Sequence, residues 1–121
     1  MHPDFIHIIN NLKPEKYVRN KFNITKKYVI GMIGRFSKDK DYHNYIKAAN
    51  IILKNDNEIT FLCIGYGNNE IYKNIVDPSF IDNIIFIPQQ DDIESIMNIC
   101  DIGVLSTYSE GIPFTQPYLT H

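Results

Sequence analysis

No run of apolar residues in this chain approaches the roughly 20 needed for a helix to cross a bilayer. The N-terminus, Met1-His2-Pro3-Asp4, has neither a charged leader nor a cleavage site, so no secretory signal is predicted. Cysteine is scarce: Cys63 and Cys100 stand far apart, each inside an apolar run. With no Cys-x-x-Cys and no histidine pair at helical spacing, a zinc site is not expected. Both thiols read as buried small hydrophobes in a reducing cytoplasm. Nor does one sign of charge dominate, since 12 Lys and Arg against 14 Asp and Glu leave a formal net charge of -2. That balance excludes a bulk electrostatic nucleic-acid binder while leaving room for a local basic pocket. A soluble, cytoplasmic chain is expected.

Catalytic signatures are missing as well. No Gly-x-x-x-x-Gly-Lys-Ser/Thr phosphate loop occurs, and no Ser-His-Asp or Cys-His set can be assembled from the sequence. His2, His7, His43 and His121 have no paired acid or nucleophile at a recognisable spacing, and His43 reads as a surface residue. The pair Asp91-Asp92 reads as helix-start acid rather than as a metal site.

What is present is a regular alternation. The 121 residues suit one domain, long enough to bury roughly two thirds of the surface of the unfolded chain. Four apolar runs recur: Tyr28 to Ile33, Ile59 to Ile64, Asn83 to Ile87 and Ile102 to Leu105. Each is nearly continuous in large apolar residues rather than alternating, as parallel strands covered on both faces require. Between the first two, Tyr42, Tyr45, Ile46, Ala49, Ile52 and Leu53 share one helical face, with Asp41 as its N-cap. A short helix is predicted from Glu70 to Val76, stopped near Asp77-Pro78. Ile93, Ile96, Met97 and Cys100 mark another. Strand and helix alternating four times predict an α/β fold with a parallel sheet. In the first 27 residues, Ile6-His7-Ile8-Ile9 reads as an additional strand and the segment around Tyr17 to Phe22 as a helix.

Two loops carry the chemistry. Tyr108-Ser109-Glu110-Gly111-Ile112-Pro113 follows the fourth run and places a carboxylate and a glycine at a strand's C-terminal mouth, where open α/β sheets bind ligands. Gly34-Arg35-Phe36-Ser37-Lys38-Asp39-Lys40 follows the first run and supplies cations. Arg35 and Lys40 can converge on a diphosphate beside a helix N-terminus. From spacing alone, a solvated basic turn balanced by Asp39 and Asp41 carries more weight, and Glu110 alone can be an exposed glutamate of no special role. Gly65-Tyr66-Gly67 fails as a dinucleotide fingerprint, because Glu70 stands where a third glycine belongs and the motif follows the second strand. It reads as a tight turn.

Taken in order, these blocks resemble the C-terminal, nucleotide-sugar-binding half of retaining glycosyltransferases of family 4, which have a B-type fold of two Rossmann domains. The resemblance runs from Ile8 to Pro113. Ile8-Ile9-Asn10-Asn11 is similar to the segment linking the domains, and Ile33-Gly34-Arg35-Phe36 with Lys40 to the donor loop. Ala48, Leu62 to Gly67, Phe86-Ile87 and Asp91-Asp92-Ile93 match the next blocks. Asp101 to Leu105 with Glu110-Gly111-Ile112-Pro113 matches the last strand and its Glu-Gly-x-Pro loop.

The resemblance implies a Rossmann-like parallel sheet with helices on both faces. Residues 1–27 would form the interdomain linker and the start of the domain, and 28–121 a nucleotide-sugar-binding domain. Arg35 and Lys40 would neutralise the donor diphosphate of a UDP- or GDP-sugar. Glu110, as the catalytic residue, would touch hydroxyls of the transferred sugar beside Gly111 and Ile112. Pro88 and Gln89 would lie near the base. No cofactor or metal is implied, since the cations take that role. The acceptor, a glycan or lipid-linked glycan, would sit on another domain, and peripheral membrane association of a full enzyme fits the family.

There are departures. Tyr118 replaces a second glutamate, Pro117 interrupts the helix that should carry it, and Pro88 replaces a glycine. The chain also stops at His121, before the last strands of a complete domain, and it has no acceptor-binding N-terminal domain. It is therefore expected to be a fragment or truncated product, inactive on its own. Two other readings stay open: a non-catalytic remnant or interaction module with a partial fold, and a nucleotide-dependent epimerase or dehydrogenase.

Overall fold

A computed structural model describes residues 11–36, 41–88 and 90–105. In chain order these form α1 (Glu15–Phe22), β1 (Tyr28–Ile33), α2 (Asp41–Leu53), β2 (Ile59–Gly65), α3 (Glu70–Lys73), a 3-10 turn (Pro78–Phe80), β3 (Ile84–Pro88), α4 (Ile93–Asn98) and β4 (Ile102–Leu105). The expected strand at Ile6 to Ile9 lies outside the described residues.

The four strands make one parallel sheet in the order β3-β2-β1-β4, so the first strand sits between the second and the fourth, and the sheet is parallel as predicted. Continuous apolar runs suit this arrangement because helices cover both faces of the sheet, most completely at the central strands β1 and β2. On one face, Met32, Phe61, Cys63 and Ile84 pack beneath Tyr42, Ile46, Ala49 and Leu53 of α2. On the other, Val29, Leu62, Ile64 and Ile87 pack against Val18 of α1 and Ile96 of α4. β2 is the most deeply enclosed strand, buried at every position after Ile59.

Three features differ from the expected pattern. The short helix expected from Glu70 to Val76 ends at Lys73. Ile52 was assigned to the inward face of α2 but is 41% exposed, because Ala49 and Leu53 already close the face against the sheet. Cys100, assigned to the fourth helix, falls just beyond its end at Asn98.

Polar side chains set the joints. Asp92 caps α4 by accepting from Ser95 N–H (3.2 Å). The Ser95 hydroxyl donates to Asp92 (2.8 Å) and accepts from Lys13 N–H (2.8 Å), fastening the entry of α1 to α4. At the other end of α1, Asn23 adopts the left-handed conformation (φ 58°) that ends a helix, and the Arg19 guanidinium then reaches around the turn. It donates to the carbonyls of Lys26 (2.7 Å), Lys27 (3.3 Å) and Ile24 (3.4 Å) and pairs with Glu15 (2.7 Å). This one side chain fixes how the chain leaves α1 and enters β1. Asp101 does the equivalent for β4, since its carboxylate accepts from Val29 N–H (2.8 Å) while its own N–H donates to the Val29 carbonyl (2.7 Å).

Candidate functional site

The register brings the C-terminal ends of all four strands into one row. Ile33 of β1 lies opposite Ile64 of β2 and Leu105 of β4, and Ile64 lies opposite Ile87 of β3. The strand order reverses at β1: the chain runs from β1 to β2 and β3 on one side, then crosses from β3 to β4 on the other side of β1. In open α/β sheets a crevice opens above the strand ends at such a switch point, because the loops leaving the strands on its two sides, here β1 and β4, diverge. The loop that follows β1 carries Arg35.

That loop is not loose. The ladder between β1 and β2 continues past the strands: Gly34 N–H donates to the Ile64 carbonyl (2.9 Å) and Phe36 N–H to the Tyr66 carbonyl (3.0 Å). Phe36 and Gly67 form a further parallel bridge. Two chains this close leave no room for side chains between them. A Cβ on Gly65 would lie 1.8 Å from the Gly34 carbonyl oxygen, and one on Gly67 would lie 2.8 Å from the Phe36 carbonyl oxygen. Gly67 also has φ +114°, a conformation that L-residues rarely adopt. Gly65-Tyr66-Gly67 is therefore a site of close backbone approach rather than the tight turn expected from the sequence.

Alternation along this extension sorts the side chains. Phe36 is buried, with its ring 4.7 Å from that of Tyr42, 6.0 Å from Phe86 and 6.2 Å from Tyr72. Each such aromatic pair contributes about 0.5–1.5 kcal/mol beyond its area burial. Arg35, one residue earlier, is exposed, and its guanidinium lies 5.8 Å from the centre of the Tyr66 ring. The anchor and the cation are thus neighbours in sequence with opposite environments.

Below the loop, two tyrosines of α2 grip the seam between the central strands. The Tyr42 hydroxyl lies 2.9 Å from both the Met32 and Ile64 carbonyls. The Tyr45 hydroxyl lies 3.2 Å from the Ile30 carbonyl and 3.0 Å from that of Leu62. Burial raises the proton affinity of both phenols well above the ordinary value, and the nearby Cys63 adds to it. Burial pushes the Cys63 thiol up as well, and pushes Cys100 up to about 12, with Asp101 adding to the effect. All four groups stay protonated and neutral at physiological pH, so the cysteines are inert hydrophobes, as their sequence context implied.

Of the residues singled out from the sequence, Arg35 and Pro88 are described. Pro88 ends β3, exposed and opposite Gly65. Arg35 and Pro88 therefore lie at the same edge of the sheet. Lys40, Gln89, Glu110, Gly111 and Ile112 lie outside the described residues, as do Pro117 and Tyr118. Beside the loop after β3, a hollow of about 190 Å³ is bordered by Lys13, Lys21, Gln90, Asp91, Asp92 and Ser95. A wider cleft of about 770 Å³ runs along the outer edge of β3 beside Phe22 and Lys26, away from the strand ends that carry Arg35. Among the described residues, no group of three or more His, Cys, Asp or Glu is placed to hold a metal ion. No helix among them is long and apolar enough to cross a membrane.

Sequence reasoning missed Tyr66 and Phe36 as parts of this site. The available signal was the large apolar Phe36 directly beside the charged Arg35, the opposite-face placement that an extended chain gives to neighbouring residues.

Comparison with known proteins agrees with this geometry. Residues 14–115 match the family model for glycosyl transferases, group 1. The capsular polysaccharide biosynthesis glycosyltransferase CapM of Staphylococcus aureus is 30% identical over 105 residues, covering 84% of this chain and 27% of CapM. Among solved structures, Anabaena HepE in complex with UDP and glucose superposes with a TM-score of 0.59 at 17% identity. It covers 79% of this chain, which spans 28% of HepE. S. aureus MnaA with UDP gives 0.57 at 18% identity, covering 79% of this chain and 27% of MnaA. The chain thus spans about a quarter of the length of each of these proteins. Its α/β sheet is the Rossmann-like architecture of these neighbours. By the match over residues 14–115, the chain belongs to the group 1 glycosyl transferase family.

Proposed function

We propose that this chain supplies the donor-binding part of a retaining glycosyltransferase that uses a UDP- or GDP-sugar. The observation that carries the reading is the placement of Arg35 on a clamped loop at the strand ends, beside the switch point between β1 and β4. The solved neighbours bound to UDP, one of them with glucose as well, support a nucleotide-sugar as the ligand class.

In this reading Arg35 and Lys40 bind the donor diphosphate and stabilise the charge that gathers on it as the glycosidic bond to the sugar breaks. Fixed cations act strongly there because they need no reorganisation at the moment of reaction. Glu110 holds hydroxyls of the transferred sugar and so places the anomeric carbon, with the backbone of Gly111 and Ile112 alongside. Pro88 and Gln89 border the base. No resident cofactor is invoked. The acceptor, a glycan or lipid-linked glycan, would be held by a separate domain, and the reaction would run in the cytoplasm, with peripheral membrane association of a full enzyme.

Calorimetric titration of UDP and GDP into the chain tests this. Charge-assisted hydrogen bonds contribute roughly 1.5–3 kcal/mol each, so Arg35→Ala with Lys40→Ala should weaken binding by about a hundredfold or more. Unchanged affinity in the double variant would reject the cation role. No binding by the unaltered chain would favour a non-catalytic remnant.

A further inference from the structure

We infer that Tyr66 is a positioning residue for the diphosphate site: its ring is the platform on which the Arg35 guanidinium is held at the strand ends. The inference rests on the diphosphate-binding reading of Arg35 given above.

The register that pairs Ile33 with Ile64 resumes at Phe36 and Gly67, so Arg35 and Tyr66 stand directly opposite each other. Their side chains project to the same face, away from the face that receives Phe36 and Tyr42. The guanidinium sits 5.8 Å from the ring centre, within the range of a cation–π contact. Among the described residues, the ring is the contact that the Arg35 side chain makes.

Tyr66 is 54% exposed, whereas Phe36 on the facing segment is buried. Its backbone is fixed on both sides, by the close approach at Gly65 and by the positive φ at Gly67, with its carbonyl bonded to Phe36 N–H. A free arginine must lose considerable rotamer freedom on binding a phosphate. An arginine already lying on a fixed aromatic face has lost part of it beforehand, while both edges of its planar fork stay available to phosphate oxygens. The face of the ring matters in this arrangement and the hydroxyl does not.

The test titrates UDP and inorganic pyrophosphate into the wild-type chain, Tyr66→Ala, Tyr66→Phe, Arg35→Ala and the Arg35→Ala, Tyr66→Ala double variant. Thermal melting checks the folding of each. Tyr66→Ala should weaken both ligands by about two- to fivefold, the range of an exposed cation–π contact. Tyr66→Phe should bind like wild type, and Tyr66→Ala should have no further effect once Arg35 is gone. A second readout needs no ligand. The Arg35 δ-protons should show an upfield ring-current shift in NMR spectra, kept in Tyr66→Phe and lost in Tyr66→Ala. The inference is overturned by wild-type affinity in Tyr66→Ala, by an equal loss in the Arg35→Ala background, or by a wild-type spectrum without the shift. Absence of binding to the wild-type chain would instead overturn the diphosphate reading itself.

Discussion

The α-carbon of Gly65 faces the carbonyl oxygen of Gly34 so closely that a methyl group on it would lie 1.8 Å away, well inside any tolerable contact. The clash would be with backbone, not with the movable tip of a side chain. Gly65→Ala should therefore force β1 and β2 apart at their C-terminal ends and destabilise the fold by about 3 kcal/mol or more. Urea unfolding measures it, and a midpoint like that of the unaltered chain would show that the loops can separate freely.

Arg19 is expected to be a stability residue with no part in binding. It makes charged hydrogen bonds to three backbone carbonyls at the turn into β1, the end of the sheet opposite the strand ends that carry Arg35. Arg19→Ala should cost about 2 kcal/mol. Arg19→Lys should recover only part, because one ammonium cannot reproduce a planar fork. Nucleotide affinity of the folded fraction should be unchanged in both variants.

Stability should fall in alkaline solution. Tyr42, Tyr45, Cys63 and Cys100 all hold their protons more tightly in the folded chain than at the ordinary values of 10.0 for tyrosine and 9.0 for cysteine. Above those values the unfolded chain has released protons that the folded chain retains, so the free energy of unfolding declines as pH rises. It is fully present below about pH 8 and falls by about 1.4 kcal/mol per pH unit for each proton involved. Urea unfolding at pH 7.5, 9 and 10.5 measures the slope. Tyr42→Phe should make that slope shallower, and an unchanged slope would show that the phenol titrates alike in both states.

Tyr42→Phe also isolates the seam contact at neutral pH. The lost hydroxyl touches carbonyls on both central strands, while the Ile64 carbonyl keeps the bond from Gly34 N–H. A loss of about 1 kcal/mol is expected, because the carbonyls are not orphaned. A loss above about 3 kcal/mol in thermal or urea melts would mean that the hydroxyl holds the seam together.

The sheet was legible in the sequence because burial of both faces makes each parallel strand a continuous apolar run, visible without knowing its neighbours. Most of α2 was legible for the same local reason, its spacing. What could not be read were relations across the fold. Ile52 has the hydropathy of a core residue, and only the positions of Ala49 and Leu53 against the sheet show that the face was already full. Gly65-Tyr66-Gly67 has the composition of a turn, and its purpose appears only when Gly34 is seen beside it. Arg19 belongs to no motif in the sequence. Its carbonyl partners follow it in sequence, yet the left-handed residue at Asn23 that turns them toward it has no hydropathy signature. Of the candidate site, Arg35 and Pro88 are named by motif order, while Tyr66 stands there only as the residue between two glycines.

The ladder running on through Gly34 and Phe36 has a consequence in time rather than in space. Amides in a ligand-binding loop usually trade their hydrogens with solvent quickly, because the loop opens on its own. Here the Gly34 and Phe36 amides are bonded to the chain leaving the most enclosed strand, so they can exchange only when the strands themselves part. Deuterium should enter these two positions as slowly as it enters the middle of β1. The backbone rim that presents Arg35 then keeps the clock of the core.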